Sequence, residues 1–416
     1  MNHAYYLKYL PILGFLLTGI LLQGQYHKDS VALTPPMGWN SWNCFDKDIH
    51  EEKIKGIADA MVNSGMKDAG YEYVIIDNGW MTEHRDENGH IIVDSVKFPN
   101  GIKALADYIH SLGLKFGIYS SPGRYTCGGK LSGSLGYEQI DANDYAAWGV
   151  DFLKYDWCGY PGTDETKTRT YENDCRAAFE LMAECLRNTG RPVVYSVHAK
   201  CTGLSHDYAL PWISSVANMF RTSGDIKDTW EIMLNCLEST ADLWQYARPG
   251  YWNDPDMLEV GNTNVERIWA LYPDRFRIKM TTDEYRTHFS MWCIVAAPLI
   301  TGNDLRTMTP EIIEILTNKE IIAVNQDPLG KQGRRIRDDG DQEVWVKELS
   351  GDRKAVALFN RGQEPADITV NWYELGFKGK FKVRDLWAHQ DLGKFRKSFT
   401  GRDIPGHVAM ILLIEK

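Results

Sequence analysis

The chain has 416 residues, 44 % hydrophobic and 12 % aromatic, with a formal net charge of −10 at pH 7. That length supplies one large core and a smaller second one. The acidic balance, with no Lys/Arg cluster against it, argues against a nucleic-acid binder, which needs a basic face to meet phosphates.

The first segment, "MNHAYYLKYLPILGFLLTGILLQGQ", has a weakly basic start, a short apolar run broken by Pro11, and a small, polar end. This is a signal-peptide layout, with cleavage expected near Gln23 to Gln25, so residues 1–25 are set aside from the fold. The mature chain is then exported, to a periplasm or the outside, with no membrane span after processing. No N-x-S/T acceptor occurs, which leans towards a bacterial envelope. The eight cysteines are scattered without a CxxC pair; most read as core thiols, with room for one or two bridges.

From the thirties to about residue 325, strand-like and helix-like segments alternate. Candidate strands are 35–42 "PPMGWNSW", 71–80 "YEYVIIDNGW", 114–123 "LKFGIYSSPG" and 150–158 "VDFLKYDWC". They continue with 192–199 "PVVYSVHA", 215–225 "SVANMFRTSGD", 251–258 "YWNDPDML" and 294–304 "IVAAPLITGND". Amphipathic stretches such as "EEKIKGIADAMVNSGMKDAG" lie between them at helical spacing. The pattern predicts a (β/α)₈ TIM barrel over 26–332. A doubly wound sheet is the alternative, but no GxGxxG or P-loop opens a helix. From Gly333 to 416 the segments are short, β-rich and separated by turn residues, which predicts an antiparallel β-sandwich. "DDGDQ" (Asp338–Gln342) reads as a hairpin turn there.

Seven of the eight barrel strands finish with groups that a strand interior does not choose: Trp39, Asp77, Tyr119, Lys154 with Asp156, His198, Arg221 with Asp225, and Asp254 with Asp256. In such a barrel these ends form the active-site face. Residues two apart share a strand face, so Lys154 and Asp156 point into the mouth together, and pairing keeps the carboxylate ionised as a nucleophile requires. Asp225 supplies a second carboxylate, the minimum kit for glycoside hydrolysis; it also fits as the N-cap of a helix starting in "IKDTWEIM". "WNDPDML" reads as a turn on Asp-Pro in preference to a hard-cation site. No GxSxG, HExxH or metal-ligand histidine spacing is present, so neither metal nor cofactor is expected. The 14 tryptophans and 21 tyrosines read mostly as packing, with stacking on sugar rings as the functional use.

The motifs "TPPMGWNSWN", "DAGYEYVIIDNGW", "GIYSSPGRYTCGG", "FLKYDWC", "FRTSGDI", "YWNDPDML", "AAPLITGNDLR" and "IIAVNQDPLGKQG" are similar, in order from about Thr34 to Arg335, to those of glycoside hydrolase family 27, the α-galactosidases. The resemblance implies a retaining, exo-acting hydrolase of α-galactosides, with Asp156 as nucleophile and Asp225 as general acid/base. It implies Asp77 and Lys154 on ring hydroxyls, and Trp39 against the apolar sugar face. Tyr119, Arg221, Asp256 and Met257 would surround the pocket, and a Cys127–Cys158 disulfide would stand beside the nucleophile. The partner is a carbohydrate, and the enzyme a monomer or small homo-oligomer.

Two departures matter. The family usually shows Asp-Asp-Cys-Trp after the second strand, whereas Asp77-Asn78-Gly79-Trp80 stands here. Asn78 offers an amide but no second carboxylate for the axial O4, and Gly79 leaves Cys44 outside any bridge. After the fifth strand, where the family carries a Glu-Trp or Ser-Trp that meets the 2-position, His198 stands with Lys200 nearby, which would favour an anionic or 2-linked substituent. The rival activities are a β-L-arabinopyranosidase and, more distantly, an α-N-acetylgalactosaminidase; the rival class is a non-catalytic glycan-binding protein.

Overall fold

A computed structural model describes residues 30–160, 171–199, 206–262 and 279–416. The expected leader and Lys200 lie outside the described residues. Eight short strands carry the first sheet: β1 (Met37–Asn40), β2 (Tyr73–Ile75), β3 (Lys115–Ser120), β4 (Phe152–Asp156), β5 (Val194–His198), β6 (Met219–Arg221), β7 (Trp252–Asp254) and β8 (Leu299–Thr301). All neighbours are parallel, in the order β8-β1-β2-β3-β4-β5-β6-β7. The segment after β7 closes the ring: Leu258 N donates to the Ile300 carbonyl at 2.7 Å, and Gly302 N to the Leu258 carbonyl at 3.0 Å. The parallel barrel and the antiparallel C-terminal sheets are the architecture predicted.

Strand alternation sorts the side chains. On β4, Leu153 and Tyr155 face the helices while Phe152, Lys154 and Asp156 face inward. The inward layer of Tyr73, Ile75, Phe152, Val194, Met219 and Ile300 plugs the barrel below the polar ends, so the mouth is a pocket and not a pore. The strands are shorter than the apolar runs around them. The run read as a strand over 294–304 begins on helix Thr282–Ile294, and only Leu299–Thr301 is strand. Both elements are buried, so hydrophobicity alone does not separate them.

That helix begins on a capping box, Thr281 with Glu284, and is buried continuously from Thr287 to Ile294. It is covered on its far side by the C-terminal sheets, comprising β9 (Arg334–Asp339), β10 (Gln342–Leu349), β11 (Arg353–Asn360), β12 (Ala366–Asn371), β13 (Phe381–Asp385), β14 (Gln390–Phe395), β15 (Ser398–Ile404) and β16 (Ala409–Glu415). Six form one antiparallel sheet, β9-β10-β11-β16-β13-β14, faced by the pair β12-β15. Ala355, Ala357 and Phe359 of β11 pack into the barrel core, while Val356 and Leu358 pack into the sandwich. Burial on both faces explains the unbroken run "KAVALF". The β9–β10 hairpin turns at Gly340 and Asp341, inside the expected 338–342. β9, β14 and β15 have no apolar run to announce them: β9 is charged and partly or fully exposed throughout, β14 is an exposed edge strand and β15 carries polar residues. An unexpected hairpin, Met81–Arg85 with Ile91–Val93, follows β2. Arg85 pins it with a bidentate grip on Asp141 at 2.6 and 2.8 Å.

Candidate active site

The strand ends bring nearly every predicted polar residue to one face. A cavity of about 220 Å³ opens there, lined by Asp77, Asn78, Tyr119, Cys127, Lys154, Asp156, Cys158, His198, Arg221, Asp225, Asp256 and Met257. It lies below the roughly 300–1,000 Å³ of pockets that enclose drug-sized ligands, a size suited to one sugar ring. Trp42, Asn43, Trp157 and Lys227 complete the wall; sequence reasoning passed over all four, although each stands within a quoted motif or next to one.

Trp39 is a correction. It is fully buried, its Nε1 donating to the Asn303 carbonyl at 2.7 Å and its ring packed on Phe45 at 5.9 Å. Alternation is the reason: Asn40 turns inward, donating to Asp77 Oδ2 at 3.0 Å, so Trp39 must face the helices. The cavity tryptophan of this segment is Trp42, in the turn of helix just after β1.

Lys154 and Asp156 both face the mouth, but the lysine's direct partner is Asp77, with Nζ 2.7 Å from Oδ2. Asp156 instead receives the Tyr119 hydroxyl at 3.1 Å on Oδ2 and faces His198 Nδ1 at 3.1 Å on Oδ1. Burial pushes the Asp156 carboxyl up; His198, the Lys154 ammonium and the Tyr119 hydroxyl outweigh it and hold the group below its ordinary value. Burial likewise opposes the Lys154 charge, and Asp77 and Asp156 restore it and raise its pKa. The two form a compensated network across β2, β3, β4 and β5, the pairing that buried charges require.

Cys127 and Cys158 are joined in a disulfide, with Cα atoms 5.1 Å apart and sulfurs 3.4 and 3.5 Å from Asp156 Oδ2. Two glycines let its loops meet. A Cβ on Gly159 (φ +62°) would stand 2.0 Å from the Tyr125 carbonyl oxygen, and one on Gly123 2.1 Å from that of Cys158. Asn78 ties the same loop down: its Nδ2 donates to the Cys127 carbonyl and its Oδ1 accepts from Thr126 Oγ1, both at 2.9 Å. Its amide thus holds the wall. Cys44 keeps a thiol, donating to the Ser41 carbonyl.

On the opposite wall Arg221 reaches Asp225 Oδ1 at 3.0 Å and also pairs with Asp256 Oδ2. Burial works against the guanidinium's charge, but Asp256, Asp225 and Asp254 raise its pKa. Asp225 is 59 % exposed on its side chain, against 5 % for Asp256, so it stands at the rim. It does not cap the following helix, Trp230–Ala241, whose N-cap is Thr229. Asp254 and Asp256 build the expected Asp-Pro turn, with Asp256 N donating to Asp254 Oδ1 at 2.9 Å and Asp256 at φ +93°. Asp256 then binds the 225–227 loop by accepting from Ile226 N at 2.8 Å.

A parallel barrel whose mouth narrows to a carboxylate-lined, single-ring pocket, with an antiparallel domain packed behind it, is the build of a glycoside hydrolase. Residues 34–327 match the family model described as alpha galactosidase A, and 339–414 that of the alpha galactosidase C-terminal beta sandwich domain. The chain belongs to the α-galactosidase family, glycoside hydrolase family 27. It is 43 % identical to alpha-galactosidase 2 of Arabidopsis thaliana over 93 % of this chain and 91 % of that one. Among solved structures it resembles alpha-galactosidase I of Mortierella vinacea (TM-score 0.82, 36 % identity, 93 % and 98 % of the two chains covered). It also resembles a β-L-arabinopyranosidase of Geobacillus stearothermophilus (TM-score 0.81, 26 % identity, 94 % and 98 % covered).

Proposed function

We propose that the protein is a retaining, exo-acting α-galactosidase. The observation that carries the reading is Asp156, an ionised carboxylate at the end of β4, facing a one-ring cavity whose rim holds a second, exposed carboxylate, Asp225. In the first step an Asp156 oxygen attacks the anomeric carbon while Asp225, as the acid, gives its proton to the departing glycosidic oxygen. In the second, Asp225 takes a proton from water, whose oxygen attacks the same carbon and releases Asp156. A bound sugar that displaces water from the rim favours the protonated form of Asp225 that the first step uses. Lys154 and Asp77 suit the ring hydroxyls at the floor, and Trp42 takes the stacking role first assigned to Trp39. His198, turned to Asp156, also borders the 2-position side.

Similarity to the arabinopyranosidase, together with Asn78 in place of the second family aspartate, supports a second reading: β-L-arabinopyranoside hydrolysis on the same scaffold. The test is turnover of chromogenic α-D-galactopyranoside and β-L-arabinopyranoside side by side. Faster galactoside hydrolysis is expected; arabinoside preference selects the second reading, and silence on both means that Asn78 and His198 have redirected the pocket. Export after loss of residues 1–25, a division into 26–332 and 333–416, and a monomeric or small homo-oligomeric state belong to the same proposal. Among the described residues no helix is long and apolar enough to cross a membrane.

A further inference from the structure

The charged groups of the cavity wall answer one another with one exception. Lys154 pairs with Asp77, His198 with Asp156, and Arg221 with Asp225 and Asp256. Lys227 lines the same cavity and is half-buried, and among the described residues its ammonium makes no direct hydrogen bond or ion pair, although its charge reaches buried Glu259. An ammonium at the cavity wall with no direct ion-pair partner is free to pair with an anion that arrives there.

Its position says which part of a substrate it meets. Asp77, with 3 % side-chain exposure, marks the closed floor, and Asp225 the open rim. Lys227 follows Asp225 by two residues on a loop fixed by Ile226 N on Asp256 Oδ2 at 2.8 Å and Thr229 N on the Lys227 carbonyl at 2.7 Å. If Asp225 protonates the departing oxygen, the loop carrying Lys227 borders the group that departs. The chain's net charge of −10 repels anions elsewhere, which makes one unanswered cation at the rim selective.

We propose that Lys227 is a specificity residue for the leaving group, selecting α-galactosides whose adjoining sugar carries an anion, a uronate carboxylate or a sulfate ester. The inference rests on the α-galactosidase reading and adds its substrate class. The experiment compares kcat/KM on three disaccharides of one linkage: α-galactosyl-glucose, α-galactosyl-glucuronic acid and α-galactosyl-glucose 6-sulfate. The full chain should favour one or both anionic substrates by roughly three- to fivefold at low salt, the size of a partly exposed ion pair, and the two anionic arms identify the group. High salt should shrink the preference. Lys227→Arg should keep it, Lys227→Ala abolish it, and Lys227→Glu invert it. Equal rates on neutral and anionic substrates, a salt-independent preference, or one surviving in Lys227→Ala would overturn the assignment. Failure to hydrolyse any of the three would instead bring down the hydrolase reading, and this inference with it.

Discussion

Replacing Glu259 with glutamine should shift stability in the variant's favour as the pH rises. Glu259 is fully buried behind the cavity wall, accepting from the amides of Asn43 and Asn262, the latter at 2.6 Å. Burial pushes its carboxyl from 4.5 to about 8, with nearby Asp228 and Asp256 adding to the rise. The native state therefore holds a proton that the unfolded chain has released, and stability from this group is full below pH 4.5 and falls as pH rises towards 8. Each pH unit in that window is worth about 1.4 kcal/mol, so at pH 7 the loss is of order 3 kcal/mol. Glutamine removes the titration but sets its own amide donor against that of Asn43 or Asn262, a pH-independent cost of about 1–3 kcal/mol, so the prediction lies in the slope. Asp228, raised to about 6 by burial, tilts both proteins in the same direction. In thermal unfolding the variant should stand no higher than the parent at pH 5 and should rise relative to it by several degrees by pH 7.5. A gap between the two proteins that does not change with pH in this direction would refute the reasoning.

Lys347 in β10 is 1 % exposed, without a hydrogen-bond partner for Nζ among the described residues, and burial lowers its ammonium to about 8. Lys347→Met should raise the denaturant midpoint at pH 7 by the equivalent of about 3 kcal/mol, and the gap should close between pH 8 and 10.5. Asn78→Asp restores the family's carboxylate but sets an acceptor against the Cys127 carbonyl; it should cost about 1–3 kcal/mol in unfolding experiments, and a neutral outcome would show that the wall does not depend on that bond. Trp42→Ala should raise KM with little change in melting temperature, whereas Trp39→Ala should cost about 3–5 kcal/mol of stability as a core cavity; the reverse pattern would restore Trp39 to the sugar face.

The barrel and the floor of its site were legible because most of the eight apolar runs end in polar groups that alternation turns the same way. Partners across the barrel were not. Lys154 and Asp156 are neighbours in sequence, yet the lysine binds Asp77, 77 residues away, and nothing local distinguishes that choice. Trp39 was misassigned although the parity that places Asn40 inward was available: a resemblance matched one tryptophan of "WNSW" where alternation selects the other. Lys227 and Asn43 left no signal, since a loop residue's direction depends on contacts such as Ile226 with Asp256. The hairpin Met81–Arg85 with Ile91–Val93 and the strands β14 and β15 lack a clear apolar alternation, because edge strands face water.

The most direct test is to trap the glycosyl intermediate. A ring-fluorinated α-galactosyl fluoride that loads the enzyme faster than water unloads it should lose its anomeric fluoride and add one fluorogalactosyl mass, and peptide mapping should place it on Asp156, with none on Asp156→Asn. A label on another residue, or rapid turnover through first-formed β-galactose with no covalent adduct, would contradict the assignment of Asp156 as nucleophile.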